Sequence, residues 1–203
     1  MENSKLTIHH IIWYFFVFSI LGLILETVFC LITTGVFESR KGLLLGPYCP
    51  IYGAGGVFMI WGLRNVKVKK FNLAIGGFII GSFIEYTVSY VLEAMYGARF
   101  WDYSNSFLNI NGRICLAFSI GWAIIAIVLI KYLKPIVDSK IIEQIKRYKR
   151  NLIEIGITIF IIIDVIITIW AINAYKNKKL NEQFDKIMFM TFPNIKIINE
   201  NKE

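Results

Sequence analysis

Apolar residues fall along the chain in runs of about twenty, separated by shorter polar stretches. A helix rises 1.5 Å per residue, so roughly twenty apolar residues cross the ~30 Å hydrocarbon layer of a bilayer. Five runs are read as spans: about 11–32, from 46 or 50 to 63, 72–95, 114–133 and 152–172. The expected fold class is therefore all-α, a polytopic helical membrane protein of about five transmembrane helices. The first run is too long for the core of a secretion signal, and no small-residue cleavage site follows it.

The second run is irregular. Pro47 and Pro50 cannot both sit in a regular helix, and Gly42, Gly46, Gly53, Gly55 and Gly56 crowd around them. Pro50 to Leu63 is only fourteen residues. The helix is thus expected to start below the membrane surface, after a broken segment marked by Gly46, Pro47, Pro50 and Gly53. Non-helical backbone at that depth is tolerated only where it lines a cavity or is buried in protein.

The chain divides into a membrane core (1–133), a basic amphipathic linker (134–150) expected on the cytoplasmic leaflet, a fifth span (151–172) and a Lys/Asn-rich tail (173–203). The core reads as a tandem repeat of two helical hairpins, 11–63 and 72–133. Glu26 and Glu85 lie 59 positions apart, as do Arg40 and Arg99, and Gly-x-x-Cys recurs at Gly46 and Gly112, 66 apart.

Charge adds orientation. The net charge is +8. Twelve Lys and Arg fall in the N-terminus and the loops after spans two and four, against four (Arg40, Lys41, Arg99, Arg113) in the other two loops. The positive-inside rule places the N-terminus on the cytoplasmic side of the membrane and the tail outside. The excess reports topology, with no nucleic-acid partner expected. Three cysteines make no disulfide framework, the two adjacent histidines offer no metal spacing, and there is no Walker-type phosphate loop or hydrolase triad motif. No cofactor, metal or catalytic residue is expected.

The candidate chemistry is the charge inside the spans, where each ionised group costs roughly 2.5–3.5 kcal/mol or more and normally pairs or faces water. Glu85, Ser89 and Glu93 share one helix face at i, i+4, i+8. With Glu26, Arg40, Tyr48, Arg99, Asp102 and Arg113 they are expected to form an intramembrane polar cluster that lines an outward-facing cavity. The same residues also suit ion pairs that lock helices together. Trp101 and Tyr103 fit interfacial anchors, and Asp102 is expected to pair with Arg99 or Arg113.

Arg40-Lys-Gly-Leu, Gly46-Pro-Tyr-Cys-Pro-Ile-Tyr-Gly, Glu85-Tyr, Arg99-Phe-Trp-Asp-Tyr-Ser and Asn111-Gly-Arg-Ile-Cys115 resemble the putative ABC-transporter type IV permeases, small multi-span proteins mostly of Gram-positive bacteria. The resemblance covers about residues 14–133 and leaves out span five. It implies a transport component whose ATPase is a separate subunit. A core this small would join a homo- or hetero-oligomer, with Gly76, Gly77 and Gly81 as packing faces. The expected ligand is small and anionic or polar, such as a lipid headgroup. Two other readings remain: a membrane enzyme acting on a lipid or lipid-linked sugar, and a non-catalytic assembly or regulatory protein.

Overall fold

Among the described residues four helices are long and apolar enough to cross a membrane: α1 (Ile8–Thr34), α3 (Lys70–Tyr96), α4 (Leu116–Ile142) and α5 (Arg150–Lys176). Two shorter helices, α2 (Pro50–Gly62) and α6 (Glu182–Thr191), complete the set. The computed structural model describes residues 6–142, 150–177 and 181–198. Residues 143–149 of the basic linker, and 178–180 and 199–203 of the tail, lie outside that description.

Among the described residues four helices of spanning length replace the five expected, and the return between α1 and α3 is made by the segment after α1 together with α2. The second apolar run yields a helix of 13 residues, about 20 Å long at 1.5 Å per residue. Its start explains the shortfall. Pro50 occupies the first turn, where a missing N–H costs nothing. The Cys49 amide just before it donates to the Ser19 carbonyl at 2.9 Å, about midway along α1. The segment after α1 therefore descends into the bundle before α2 begins, and α2 covers only the remaining depth.

α1 and α3 each run 27 residues and end at a left-handed glycine, Gly35 (φ 70°) and Gly97 (φ 59°). There the glycine N–H caps the carbonyl four residues back, a geometry that a Cβ would strain. α4 is lengthened by two π-helical stretches, Leu129–Leu133 and Asp138–Ile142. The first lies just ahead of Pro135, where a widened turn relieves the proline's clash with the preceding carbonyls. The described part of the basic linker thus continues α4. In that part Val137 and Ile142 are buried in the main core, Tyr14 donates to Asp138, and Lys134 pairs with Asp138 at 2.6 Å.

α2 packs between α1, α3 and α4 through side chains reduced to hydrogen. A Cβ on Gly53 would meet the Phe15 carbonyl at 2.4 Å, and one on Gly55 would meet Trp122 at 3.0 Å. The glycines expected to serve oligomer contacts are used inside the chain: Gly76 against Leu63, Gly77 against Ala126 and Gly81 against Trp122. Outward rows such as Ile155, Ile159, Ile162 and Ile166 on α5 stay exposed, the face that hydrocarbon covers in a bilayer.

α5 is tied to α1 at the N-terminal side, where Glu154 accepts from Trp13 Nε1 (2.9 Å) and meets His9 (2.5 Å). At its other end α5 meets α6. The Asn181 side chain caps α6 by accepting from the Phe184 amide at 3.1 Å. Met188 and Phe192 are buried with Ala171 and Ile172, while Ile187, Phe189 and Met190 stay exposed. The chain then forms a two-residue strand β2 (Lys196–Ile197), antiparallel to β1 (Ala98–Arg99), which directly follows α3. The tail therefore sits on the same side as the α1–α2 and α3–α4 loops.

Candidate functional site

Three polar groupings lie on the loop side of the bundle. The first is a clamp around Asp164, fully buried near the middle of α5. Its carboxylate accepts from the backbone amides of Leu45 (2.9 Å) and Gly46 (2.7 Å) and from the Tyr48 hydroxyl (2.8 Å). One turn on, Thr168 Oγ1 accepts from the Leu44 amide at 2.9 Å. Descending backbone needs acceptors for its N–H groups, and α5 supplies them. A Cβ on Gly46 would fall 1.9 Å from the Tyr48 ring, so this turn needs glycine. Tyr48 and Gly46 thus belong to the clamp. Pro47 lies in the same turn, and Gly53 packs against α1.

The second grouping is an ion lock. Glu93 on α3 accepts from Arg99 and from Arg113 (2.6 Å), and Arg113 also reaches Ser89 Oγ at 3.4 Å. The Arg113 guanidinium lies 5.4 Å from the Tyr90 ring centroid and 5.8 Å from that of Tyr86. Ser89, Glu93, Arg99 and Arg113 are therefore joined to one another, and they fix the α3–α4 loop over the end of α3.

The third is a cavity of about 350 Å³, enclosed by α1, the segment 39–43, the start of α2, α3, α4, α5 and residues 191–195 of the tail. A second space of about 380 Å³ adjoins it and shares Glu26, Arg40, Trp101 and Tyr103 as walls. Such volumes hold a small ligand. Glu26 and Glu85 both line the first space. Glu26 accepts from the Tyr52 hydroxyl at 2.5 Å. Glu85, 5% exposed, accepts from Tyr103 (2.9 Å) and from Trp122 Nε1 (2.8 Å). Tyr52 comes that close to α1 because Gly22 has no side chain; a Cβ there would lie 2.2 Å from the Tyr52 Cβ. Arg40 donates to Cys30 Sγ (2.8 Å) and Glu38 (3.2 Å), and its Nε is buried without a partner.

The residues expected to form a single cluster are thus divided. Glu26, Arg40, Glu85 and Pro50 line the first cavity, and Asp102 lines the adjoining one. Asp102 pairs not with an arginine but with Lys196 of the tail (2.9 Å), and it also accepts from Ser104 Oγ (2.6 Å). The Ser104 hydroxyl, with Lys196 beside it, holds the Asp102 carboxyl below the usual carboxylate range. The expected interfacial anchors turn inward, Tyr103 to Glu85 and Trp101 Nε1 to the Arg113 carbonyl at 2.9 Å.

Sequence reasoning passed over Tyr52, Trp122, Asp164, Thr168 and the tail residues Phe192–Ile195. The signals for them are weak: a lone aspartate in the fifth apolar run, and aromatic residues that read equally well as core. Among the described residues, no group of three or more His, Cys, Asp or Glu side chains is placed to hold a metal.

Compared with known proteins, residues 13–169 match the family described as Putative ABC-transporter type IV. The match reaches past the residues that carried the resemblance and takes in Asp164 and Thr168. No curated protein and no solved structure matches the chain.

Proposed function

The chain belongs to the family described as Putative ABC-transporter type IV, and from that premise we propose that it is the membrane-embedded, ligand-holding component of a transporter. Four apolar helices make it a multi-pass membrane protein. With no phosphate-binding loop in its sequence, the energy of nucleotide hydrolysis would come from a separate ATPase subunit.

One observation carries this reading. The spanning helices enclose a 350 Å³ cavity into which two intramembrane acids project, and acids at that depth are costly enough that packing alone does not account for them. The cavity is sized for a polar headgroup or a small solute. The clamp and the ion lock hold its walls, and the tail from Thr191 to Ile195 covers its loop side. An anionic ligand is less well served than the sequence suggested, because Arg99 and Arg113 are engaged with Glu93 outside the cavity.

The test is reconstitution. The full chain, purified with any ATPase that co-purifies from its host, is placed in liposomes, and ATP-dependent movement of solutes and labelled lipids is followed. The double variant Glu26→Gln, Glu85→Gln should lose at least about tenfold in rate while the complex stays assembled, about 1.4 kcal/mol of lost stabilisation. Wild-type rates in the double variant would remove these residues from the transport path.

A further inference from the structure

We propose that the cavity binds an organic ammonium group, with Glu26 and Glu85 as its counter-charges and aromatic rings as its walls. This rests on the cavity being the ligand site, and it adds the chemical class of the ligand.

The charge balance of the walls points this way. Among the charged side chains that line the two spaces, Arg40 is paired with Glu38 and Lys196 with Asp102. That leaves Glu26 and Glu85 against Lys41, with Arg40 acting on Glu26 from beyond ion-pair distance. Neither acid has a cationic side chain within ion-pair distance among the described residues; their partners are the neutral donors Tyr52, Tyr103 and Trp122. By contrast Glu93, at the end of the same helix as Glu85, holds two arginines. When ionised, two acids held only by neutral hydrogen bonds at membrane depth leave negative potential in a site of low dielectric, which a mobile cation satisfies.

The donors are also the walls. The Tyr52 and Trp122 rings lie 5.2 Å apart, and Tyr103 stacks on Phe118 at 4.6 Å. All four line the cavity. Aromatic faces beside a carboxylate are the recurring solution for alkylated ammonium ions, which are too poorly hydrated to prefer water and too large for a single ion pair. A metal cation would want several ligands converging on one point, and among the described residues no group of three or more His, Cys, Asp or Glu is so placed.

The ammonium could belong to a soluble amine or to a lipid headgroup, and apolar wall residues such as Val88 and Ile169 suit either. Purified full-length protein in detergent is titrated calorimetrically with choline, glycine betaine and 3,3-dimethyl-1-butanol, the uncharged carbon isostere of choline. In parallel, protein in nanodiscs is tested for retention of phosphatidylcholine or phosphatidylethanolamine over phosphatidylglycerol. Saturable choline or betaine binding, at least tenfold tighter than the isostere, supports a soluble amine. Selective retention of the ammonium lipids supports a headgroup.

In either case Glu26→Gln, which keeps an oxygen for the Tyr52 hydroxyl, should weaken binding at least tenfold with helicity unchanged. Equal binding of choline and its isostere without selective lipid retention overturns the proposal, as does phosphatidylglycerol retained as well as the ammonium lipids. The isostere comparison needs only the wild-type protein, so it decides even if a variant fails to fold. Ammonium binding without ATP-driven movement would refute the transport reading and leave this one intact; movement of a purely anionic substrate would do the reverse.

Discussion

Asp164 shows at the residue scale how a buried charge can serve backbone instead of a ligand. Its two oxygens accept from two amides and a tyrosine hydroxyl, so the carboxylate replaces the water that an unwound segment would otherwise need. Asparagine has the same shape but only one acceptor oxygen, and its amide nitrogen would face N–H donors. Asp164→Asn is expected to destabilise the protein by about 1.5–3 kcal/mol, the range for losing hydrogen bonds to a charged group, and Tyr48→Phe by about 1 kcal/mol. Thermal unfolding in detergent, followed by circular dichroism, measures both. If Asp164→Asn unfolds with the parent, packing alone holds the descending segment. Besides Thr168 one turn on, the partners of Asp164 lie 116–119 positions away in sequence, and two of them are main-chain groups. A single sequence can show that an acid is present in a span but not that backbone is its partner.

At the element scale, the broken start of α2 was legible because proline and glycine act locally: Pro47, Pro50 and Gly46 constrain backbone whatever surrounds them. The number of crossings was less legible, since hydropathy registers apolar residues and not whether a helix runs the full depth. The repeat needs a similar adjustment. Ser19 faces Gly53 and Ser82 faces Ser119, which puts equivalent steps 63 and 66 positions apart. We propose a tandem repeat in that register. Glu26 and Glu85, 59 apart, then occupy successive turns of their helices and reach one cavity from different heights.

The tail strap was hidden for another reason: a two-residue strand has no periodicity to read. Its links are the β1–β2 pairing, the Ile198 amide donating to the Gly97 carbonyl at 2.7 Å, and Lys196–Asp102. Asp102 is held below its ordinary value, so its contribution is fully present above about pH 4. It is lost as pH falls through the lowered, folded-state value. Asp102→Asn should reproduce that loss at neutral pH. Hydrogen exchange at the Arg99 and Ile198 amides is expected to quicken severalfold in this variant and to vary little between pH 5 and 8 in the parent, after correction for intrinsic rates. Unchanged protection in the variant would mean that the strand pairing holds without the ion pair.

For the whole molecule, the pairing of β1 with β2 limits the possible topologies. It binds the tail to the loop after α3, so both must emerge on one side, as must the loop after α1, whose residues 39–43 share the cavity walls with the tail. The lysines of the tail then join the side that has few other cations, which looks like a breach of the positive-inside rule. The rule counts short loops and residues within about 15–20 positions of span ends, so Lys176 and the lysines after it count too, and the bias over the whole chain shrinks to twelve against ten. The cations around Lys67–Lys70 and Lys131–Lys140 lie in such positions at the opposite end of the bundle, and they argue for that end being cytoplasmic. The prediction follows for single cysteines placed in a protein with Cys30, Cys49 and Cys115 replaced. In intact cells an impermeant maleimide should label Asn105→Cys and Glu182→Cys, while Lys67→Cys and Lys140→Cys should react only after lysis. If Glu182→Cys and Lys67→Cys were labelled together, the tail could not pair with β1 in the membrane, and the roof of the cavity would have to come from another chain. If the two groups separated but with the sides exchanged, the strap and cavity would stand and the cavity would open toward the cytoplasm.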